Sequence, residues 1–346
     1  MVKVTVLGSG SFGTVVAALL RDGGGCDVVR LWCRREEVAR EINVEGTHVG
    51  YFPQRERGWL LEGISATADL AAAVSGAELL ILAVPSNFLE GFLERLRPCL
   101  DQSSVPILSL VKGLRVGKGV PETTSAVVRG ALRGWKGPTL ALGGGNIYSE
   151  MMQEDSFAEA TIAYEGGSES GRAAASRFQT LLNSPRMHTT VRDDLVGVEL
   201  AGALKNVVSL ACGFAKGLEM GANTQAAVLR AGLREMPRFA RACGLPVRPE
   251  TFSLEAAGVG DLFLTCSVGR GQRLAAAFVQ GGPVASPDDA VSRWARLESE
   301  FLGGMKIPDW HNARAAYESL RRVGCTECCP LLTAVHTIGF VGSAGP

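Results

Sequence analysis

The feature that most constrains this chain stands at its start. Residues 2–7 form a continuous β-rich run that leads directly into Gly8-Ser9-Gly10-Ser11-Phe12-Gly13. This G-x-G-x-x-G loop opens a helix predicted over residues 11–21. In such a turn the first glycine permits the tight bend and the second lets backbone approach a pyrophosphate. The third allows the helix to pack closely on the strand. The helix N-terminus adds free amide donors and positive potential. Alone, the motif is also satisfied by a structural glycine turn. Its place at the first strand–helix junction of an alternating chain is what points to dinucleotide binding.

Further strands are predicted over 27–32, 79–84, 106–111 and 139–143, with helical stretches between them, one at 35–42. Strands separated by helices imply right-handed crossovers and a parallel, doubly wound α/β sheet. Near residue 190 the pattern changes. Residues 198–218 are nearly all apolar, as for a central helix, and 222–243, 288–302 and 311–323 also read as helices. Residues 281–288 read as a loop among them. The expected architecture is a Rossmann-type dinucleotide-binding domain over 1–190 and an all-α substrate and catalytic domain over 191–346. A chain of 346 residues can bury two such cores.

Lys plus Arg and Asp plus Glu each number 35, so no global charge draws the chain to nucleic acid or to an anionic membrane. A local basic pocket is still allowed. The apolar runs at 77–85 and 105–111 are too short to span a bilayer. No leader is read ahead of Val2, and the last four residues are not a peroxisomal signal, so the expected address is the cytoplasm. Nine cysteines without a framework suggest free thiols in a reducing compartment. Cys325, Cys328 and Cys329 contain one C-x-x-C step but no second pair at zinc-site spacing, so no metal is expected.

After the second predicted strand stand Cys33, Arg34 and Arg35, where an acid usually binds the ribose hydroxyls. Arginines there tolerate or attract a 2′-phosphate, or are simply solvated, so the choice between NAD and NADP stays open at this point. Phe88, just past the strand at 79–84, is placed to stack beside a nucleotide, or only to pack. Lys112 and Asn146 follow two further strands at their carboxyl edges, where ligands bind open sheets.

Lys205 is the most telling residue. Its near neighbours are apolar apart from Asn206 and Ser209, and no acid stands three or four residues away. Either it snorkels outward, or it faces a polar cleft with a distant carboxylate; burial would then lower its pKa and suit it to proton transfer. Asp261 is the candidate carboxylate, although an Asp after glycines is also a plain N-cap before a helix. Thr265 lies one helical turn on. Arg270, in a glycine-flanked turn, could fork onto a phosphate or be a solvated basic turn.

Together these segments resemble the NAD-dependent glycerol-3-phosphate dehydrogenase family, nearer its eukaryotic branch. The similarity is most specific in Lys205-Asn206-Val207-Val208 through Gly213, Gly217, Asn223 and Arg230, in Gly145-Asn146-Ile147-Tyr148, and around 258–273. The resemblance implies interconversion of dihydroxyacetone phosphate and glycerol 3-phosphate, with NAD as cofactor and NADP as a possible second. It also implies a homodimer. Lys205 would be the catalytic lysine, with Asp261 and Lys112 assisting. Lys112, Asn206, Asp261, Thr265, Arg270, Gly271 and Gln272 would line the substrate pocket. Gly8, Ser9, Gly10, Ser11, Phe12, Gly13, Arg34, Phe88, Tyr148, Arg270 and Lys306 would meet the nucleotide.

Three departures stand out. The family's Arg-Asn-Arg is here Arg270-Gly271-Gln272-Arg273, so the asparagine is lost or displaced to Gln272. Pro308 stands where eukaryotic relatives place a nucleotide-binding glutamine, and Arg34 replaces an aromatic near the adenine. Two rivals remain. Another two-domain hydroxy-acid or hydroxyacyl dehydrogenase is disfavoured by Lys205-Asn206 together with Arg270. A dinucleotide-sensing module without turnover is disfavoured by the joint presence of Lys205, Asp261 and Thr265.

Overall fold

The computed structural model describes residues 2–52, 61–117, 121–153 and 155–341. The chain forms two compact units. The first comprises Met1–Val111, Thr124–Leu142 and Asn146–Leu195; the second comprises Lys112–Thr123, Gly143–Gly145 and Val196–Pro346.

In chain order the strands are β1 (Lys3–Leu7), β2 (Val28–Trp32), β3 (Ile64–Thr67), β4 (Leu79–Leu82), β5 (Ile107–Ser109), β6 (Arg115–Val116), β7 (Pro121–Glu122), β8 (Thr139–Gly143), β9 (Ala158–Ala163) and β10 (Met187–Arg192). Eight of them make one sheet in the order β10-β9-β8-β5-β4-β1-β2-β3. β1 pairs in parallel with β2 and with β4, in the registers Leu7–Trp32 and Leu7–Leu82. β4–β5, β5–β8, β2–β3 and β9–β10 are parallel as well. The short β6 and β7 form a separate antiparallel ladder in the second unit.

Both faces of the sheet are buried at its centre, which is why β4 reads as an unbroken Leu-Leu-Ile-Leu. On one face Val4, Val6 and Ile81 pack with Val16 and Leu20 of the helix Ser11–Asp22 and with Phe178 of the helix Glu169–Leu182. On the other, Leu7, Leu80 and Leu82 pack with Phe92, Leu93 and Leu96 of the helix Leu89–Leu100. The strand order reverses between β1 and β4, and ligands bind such sheets outside the carboxyl ends of the strands at that reversal.

In the second unit the helix Leu195–Gly217 runs through a core that includes Phe239, Phe252, Phe278 and Trp294. It is the one described helix long and apolar enough to cross a bilayer, and 94% of its most apolar window is buried within the protein. Its glycines let neighbours approach closely: a Cβ on Gly213 would lie 2.6 Å from the Ala275 Cβ, on the helix Arg270–Gln280.

The structure differs from the sequence-based expectations in three places. β3, β9 and β10 are strands that hydropathy alone does not mark. The glycines before Asp261 form a π-helical turn, Ala256–Gly260, rather than a loop. Gly258 is required there, because a side chain would overlap the Thr251 and Phe252 carbonyls. Finally, the expectation of free thiols fails at one pair. Cys325 and Cys328 form a disulfide across a three-residue step, while the other seven cysteines are free.

Candidate active site

In the first unit, Gly8-Ser9-Gly10-Ser11-Phe12-Gly13 leaves β1 at the strand reversal. Gly8 takes φ +129°, and a Cβ on it would lie 2.6 Å from the Ala83 carbonyl, just past β4. A Cβ on Gly13 would lie 2.9 Å from the Ala83 side chain, so the third glycine keeps helix and sheet in contact. Gly10, by contrast, has nothing within 4 Å of its missing side chain. No side chain caps the helix that begins at Ser11, so its first amides are left for an anion. Phe12 is half-buried against the sheet core. His48 supports the loop, with Nε2 2.9 Å from the Ser9 carbonyl oxygen. No motif in the sequence singles out His48.

The other first-unit candidates surround the same sheet edge. Arg34 and Arg35 are exposed between β2 and the helix Glu36–Glu45. Phe88 ends a 3₁₀ turn after β4 and is 57% exposed, so it is not a core residue. Tyr148 is half-buried, edge-on to Phe52 at 5.8 Å. Asn146, after β8, has both amide atoms buried without a protein partner. A buried amide left unpaired is unfavourable, so it is a group that a bound polar ligand would satisfy. An open glycine loop, an uncapped helix start and an orphaned amide all fit a dinucleotide.

In the second unit three distant segments converge on one carboxylate. Asp261 is the first residue of the helix Asp261–Val268, and the π-helical turn before it sets its direction. Lys205 Nζ donates to Asp261 Oδ1 and, at 2.8 Å, to Thr265 Oγ1. Lys112 Nζ donates to Asp261 Oδ2 at 2.8 Å and to the Gly144 carbonyl at 3.0 Å. Thr265 Oγ1 in turn donates to the Asp261 carbonyl at 2.7 Å, which fixes its lone pairs toward Lys205. Lys205 does not snorkel: it is 7% exposed, and Asp261 1%. Gly202, one turn before Lys205's neighbour Asn206, leaves space for the stem of Lys112, whose Cγ would lie 3.4 Å from a Cβ there.

The electrostatics follow from this packing. Burial pulls the Lys205 ammonium down to about 8; Lys112 adds to the fall, while Asp261 and Asp309 oppose it. For Asp261 burial acts upward, but Lys112 and Lys205 outweigh it and hold the carboxyl below the usual range. The result is an ionised acid beside an amine that titrates near neutrality, which is the condition for reversible proton transfer.

The remaining candidates border this cluster in sequence and differ in commitment. Asn206 is buried, with only a long 3.5 Å contact from Nδ2 to the Gly202 carbonyl. Gln272 is also buried, and its Nε2 donates to the Cys266 carbonyl at 2.7 Å. Arg270 is exposed and reaches the Met305 sulfur. Gly271 lies buried against Asp309. Lys306 is tethered at 2.7 Å by Glu298, a fully buried acid that also accepts from Trp310 Nε1 at 3.0 Å. Neither Glu298 nor Asp309 is flagged by sequence spacing, because each acts through a residue folded back from elsewhere.

Comparison with known proteins separates this chain from other dehydrogenases of similar plan. The family described as NAD-dependent glycerol-3-phosphate dehydrogenase matches it twice, with its N-terminal part over residues 3–169 and its C-terminal part over 194–344. The chain belongs to the NAD-dependent glycerol-3-phosphate dehydrogenase family. It is 36% identical to the NAD(+) glycerol-3-phosphate dehydrogenase of Cuphea lanceolata, covering 97% of this chain and 88% of that one. The cytoplasmic glycerol-3-phosphate dehydrogenase of Mus musculus is 32% identical over 98% of this chain and 94% of its own length. Among solved structures, the glycerol-3-phosphate dehydrogenase of Saccharomyces cerevisiae superposes with a TM-score of 0.85 at 30% identity. That alignment covers 100% of this chain and 97% of the yeast one. As a member of the glycerol-3-phosphate dehydrogenase family the chain is an NAD-dependent oxidoreductase, and the loop at Gly8–Gly13 is where its own residues fit that cofactor.

Proposed function

We propose that the chain interconverts dihydroxyacetone phosphate and sn-glycerol 3-phosphate, with Lys205 as the proton donor and acceptor. The observation that carries this reading is the buried Lys205–Asp261–Lys112 cluster, closed by Thr265. The dinucleotide, when bound, supplies a hydride to the substrate's carbonyl carbon in reduction. Lys205 then gives its proton to the carbonyl oxygen, on which negative charge develops, and takes it back from the hydroxyl in oxidation. Asp261 keeps Lys205 oriented and charged. Lys112 adds positive potential beside it, and its bond to the Gly144 carbonyl fixes its position. Arg270 anchors the phosphate by charge-assisted hydrogen bonds, so that binding energy remote from the carbonyl positions it for reaction. Asn206, with its weakly engaged amide, is free to bind a substrate hydroxyl.

In this reading the first unit binds the nucleotide through the glycine loop, Phe12, Arg34, Phe88 and Tyr148. The second, which includes Lys112 as well as the chain from Val196 onward, holds the substrate groups, with Lys306 contributing to the nucleotide. We further infer a homodimer, from the family resemblance, and a cytoplasmic address, from the sequence. The mouse relative's name says cytoplasmic and that of an Arabidopsis thaliana relative says chloroplastic. A substrate panel with NADH, followed by absorbance, tests the activity. Dihydroxyacetone phosphate should be reduced far faster than unphosphorylated dihydroxyacetone or any 2-keto acid. Preference for a keto acid, or tight NADH binding without turnover of any of them, would refute the reading. Arg270→Ala should raise KM for the phosphorylated ketone strongly and leave unphosphorylated dihydroxyacetone little affected.

A further inference from the structure

The asparagine that the family places after the arginine is Gly271 here, and the structure shows what fills the space. Gly271 lies in the first turn of the helix Arg270–Gln280. A Cβ built on it would overlap Asp309 Oδ1 and lie 2.7 Å from Asp309 Cγ. A side chain at 271 therefore claims the space of the Asp309 carboxyl group, which would have to swing aside to admit it. Asp309 begins the helix Asp309–Arg322, directly after Pro308, which itself stands in place of a family glutamine. The glycine at 271 thus meets the residue that directly follows Pro308, and the Arg270 charge acts on that residue. Asp309 is 5% exposed, so this is a buried acid, not a surface charge that happens to lean inward.

We propose that Asp309 is a specificity-determining residue of the substrate pocket: its carboxyl group takes the place of the family's asparagine side chain and responds to the charge of the substrate phosphate beside Arg270. This rests on the reading of the pocket as the dihydroxyacetone phosphate site. Protonated, the carboxyl O–H donates to a phosphate oxygen as an amide N–H would. Ionised, it offers only acceptors and sets a negative charge against the phosphate. Binding of the phosphate at neutral pH then takes up a proton, and affinity falls as Asp309 ionises. The groups acting on it come from three other helices: Lys205 from Leu195–Gly217, Arg270 from Arg270–Gln280 and Glu298 from Pro287–Leu302. Burial pushes the carboxyl up to about 6 against the pull of Lys205 and Arg270, so the change falls within an accessible range.

The test is the pH dependence of KM for dihydroxyacetone phosphate in the wild type, Asp309→Asn, Gly271→Asn and the double variant Gly271→Asn/Asp309→Gly. The substrate phosphate titrates in the same range in every variant, and kcat at each pH reports the change that loss of the Asp309 charge makes at Lys205, so the ratio of wild-type to variant KM reads the effect on binding. That ratio should be about tenfold near pH 8, the worth of one hydrogen bond to a charged group, and should approach unity near pH 5. Because Asn keeps the shape of Asp, kcat should change less than KM. Gly271→Asn alone should lose activity or soluble protein, and the double variant should recover it with the flat pH ratio of Asp309→Asn. Such sign reversal is the signature of two side chains competing for one space. Parallel KM curves for wild type and Asp309→Asn, or a Gly271→Asn enzyme equal to wild type, would overturn the proposal. If the wild type does not reduce dihydroxyacetone phosphate at all, it is the functional reading that fails. Titration calorimetry of inorganic phosphate on the same variants then decides the role of Asp309: proton uptake on binding supports it, and no difference between wild type and Asp309→Asn refutes it.

Discussion

Asp261→Asn keeps the shape of the buried acid and removes one charge, so it isolates what that charge does. In the native protein Oδ1 serves Lys205 and Oδ2 serves Lys112 at 2.8 Å. In the variant one lysine faces an amide carbonyl and the other an NH2 group. Breaking a buried pair from one side costs about 3–5 kcal/mol. The lower end is expected here, because the Lys112 side chain is 24% exposed and water can replace part of what it loses. The effect on protonation is more diagnostic. Burial already brings Lys205 down to about 8, and Asp261 is the strongest influence holding it up. Without that charge the amine must titrate lower. In reduction the protonated amine is the working form, so the rate is present below its titration and is lost as pH rises through about 8. In oxidation the neutral amine is the base, and the rate rises through the same range. A fall of about two units would leave on the order of 1% of Lys205 protonated near pH 8, against about half in the wild type, a loss of about 50-fold in reductive kcat. The assay is NADH consumption from about pH 5 to 9, with thermal unfolding at each pH. A pH limb that stays near 8, with kcat within about twofold of wild type, would refute the coupling of Asp261 to Lys205.

Three further expectations follow from other parts of the structure. Gly13→Ala forces a methyl group 2.9 Å from the Ala83 side chain and into the Gly8 carbonyl, so NADH affinity measured by fluorescence should fall by about tenfold or the protein should be destabilised by about 1–3 kcal/mol. Unchanged affinity and unfolding would mean that the loop is not held by that contact. Replacing Arg34 and Arg35 together by alanine should weaken NADPH far more than NADH, since only NADPH carries the 2′-phosphate; equal losses would show that these arginines do not read it. Asp309→Asn should stabilise the fold at neutral pH. Its carboxyl is raised to about 6 in the folded chain, so folding favours its protonated form, and that stability is lost as pH rises through about 6. The difference from 3.8 corresponds to about 3 kcal/mol, an upper bound for the gain at neutral pH, and the gain should vanish near pH 3; a Tm difference independent of pH would contradict the sign.

What the sequence makes legible depends on how local the controlling interaction is. The glycine loop is read directly, because tight turn, close approach and helix start fall within six consecutive residues. β4 and β8 are visible because strands covered on both faces must be continuously apolar. β3 and β10 lie at the sheet edges and carry Ile-Ser-Ala-Thr and Met-His-Thr-Thr-Val-Arg, whose polar residues hide them. β9, Ala-Glu-Ala-Thr-Ile-Ala, is inner but built of weak strand formers, and its neighbours hold it in place. The site shows the same division. An unpaired lysine in an apolar helix already marks Lys205, but its partner lies 56 residues on, and the bond from Lys112 to Asp261 spans 149. Periodicity carries no information about such pairings; the family resemblance is what joins them before the fold is seen. Glu298 behind Lys306 and Asp309 in the space beside Gly271 escape both kinds of reading, because they act through side-chain packing that neither periodicity nor a motif records.

The central claim is that Lys205 carries the proton in reduction of dihydroxyacetone phosphate, and Lys205→Met tests it most directly. Methionine keeps the apolar stem in a buried site and removes the ammonium. Turnover of dihydroxyacetone phosphate with NADH, followed at 340 nm, should fall by at least about 10²-fold, while the protein still folds and binds NADH, with an unfolding transition lowered because Asp261 keeps only Lys112 as its partner. A variant that folds, binds NADH and keeps half of the wild-type kcat would show that the reaction draws its proton from another group.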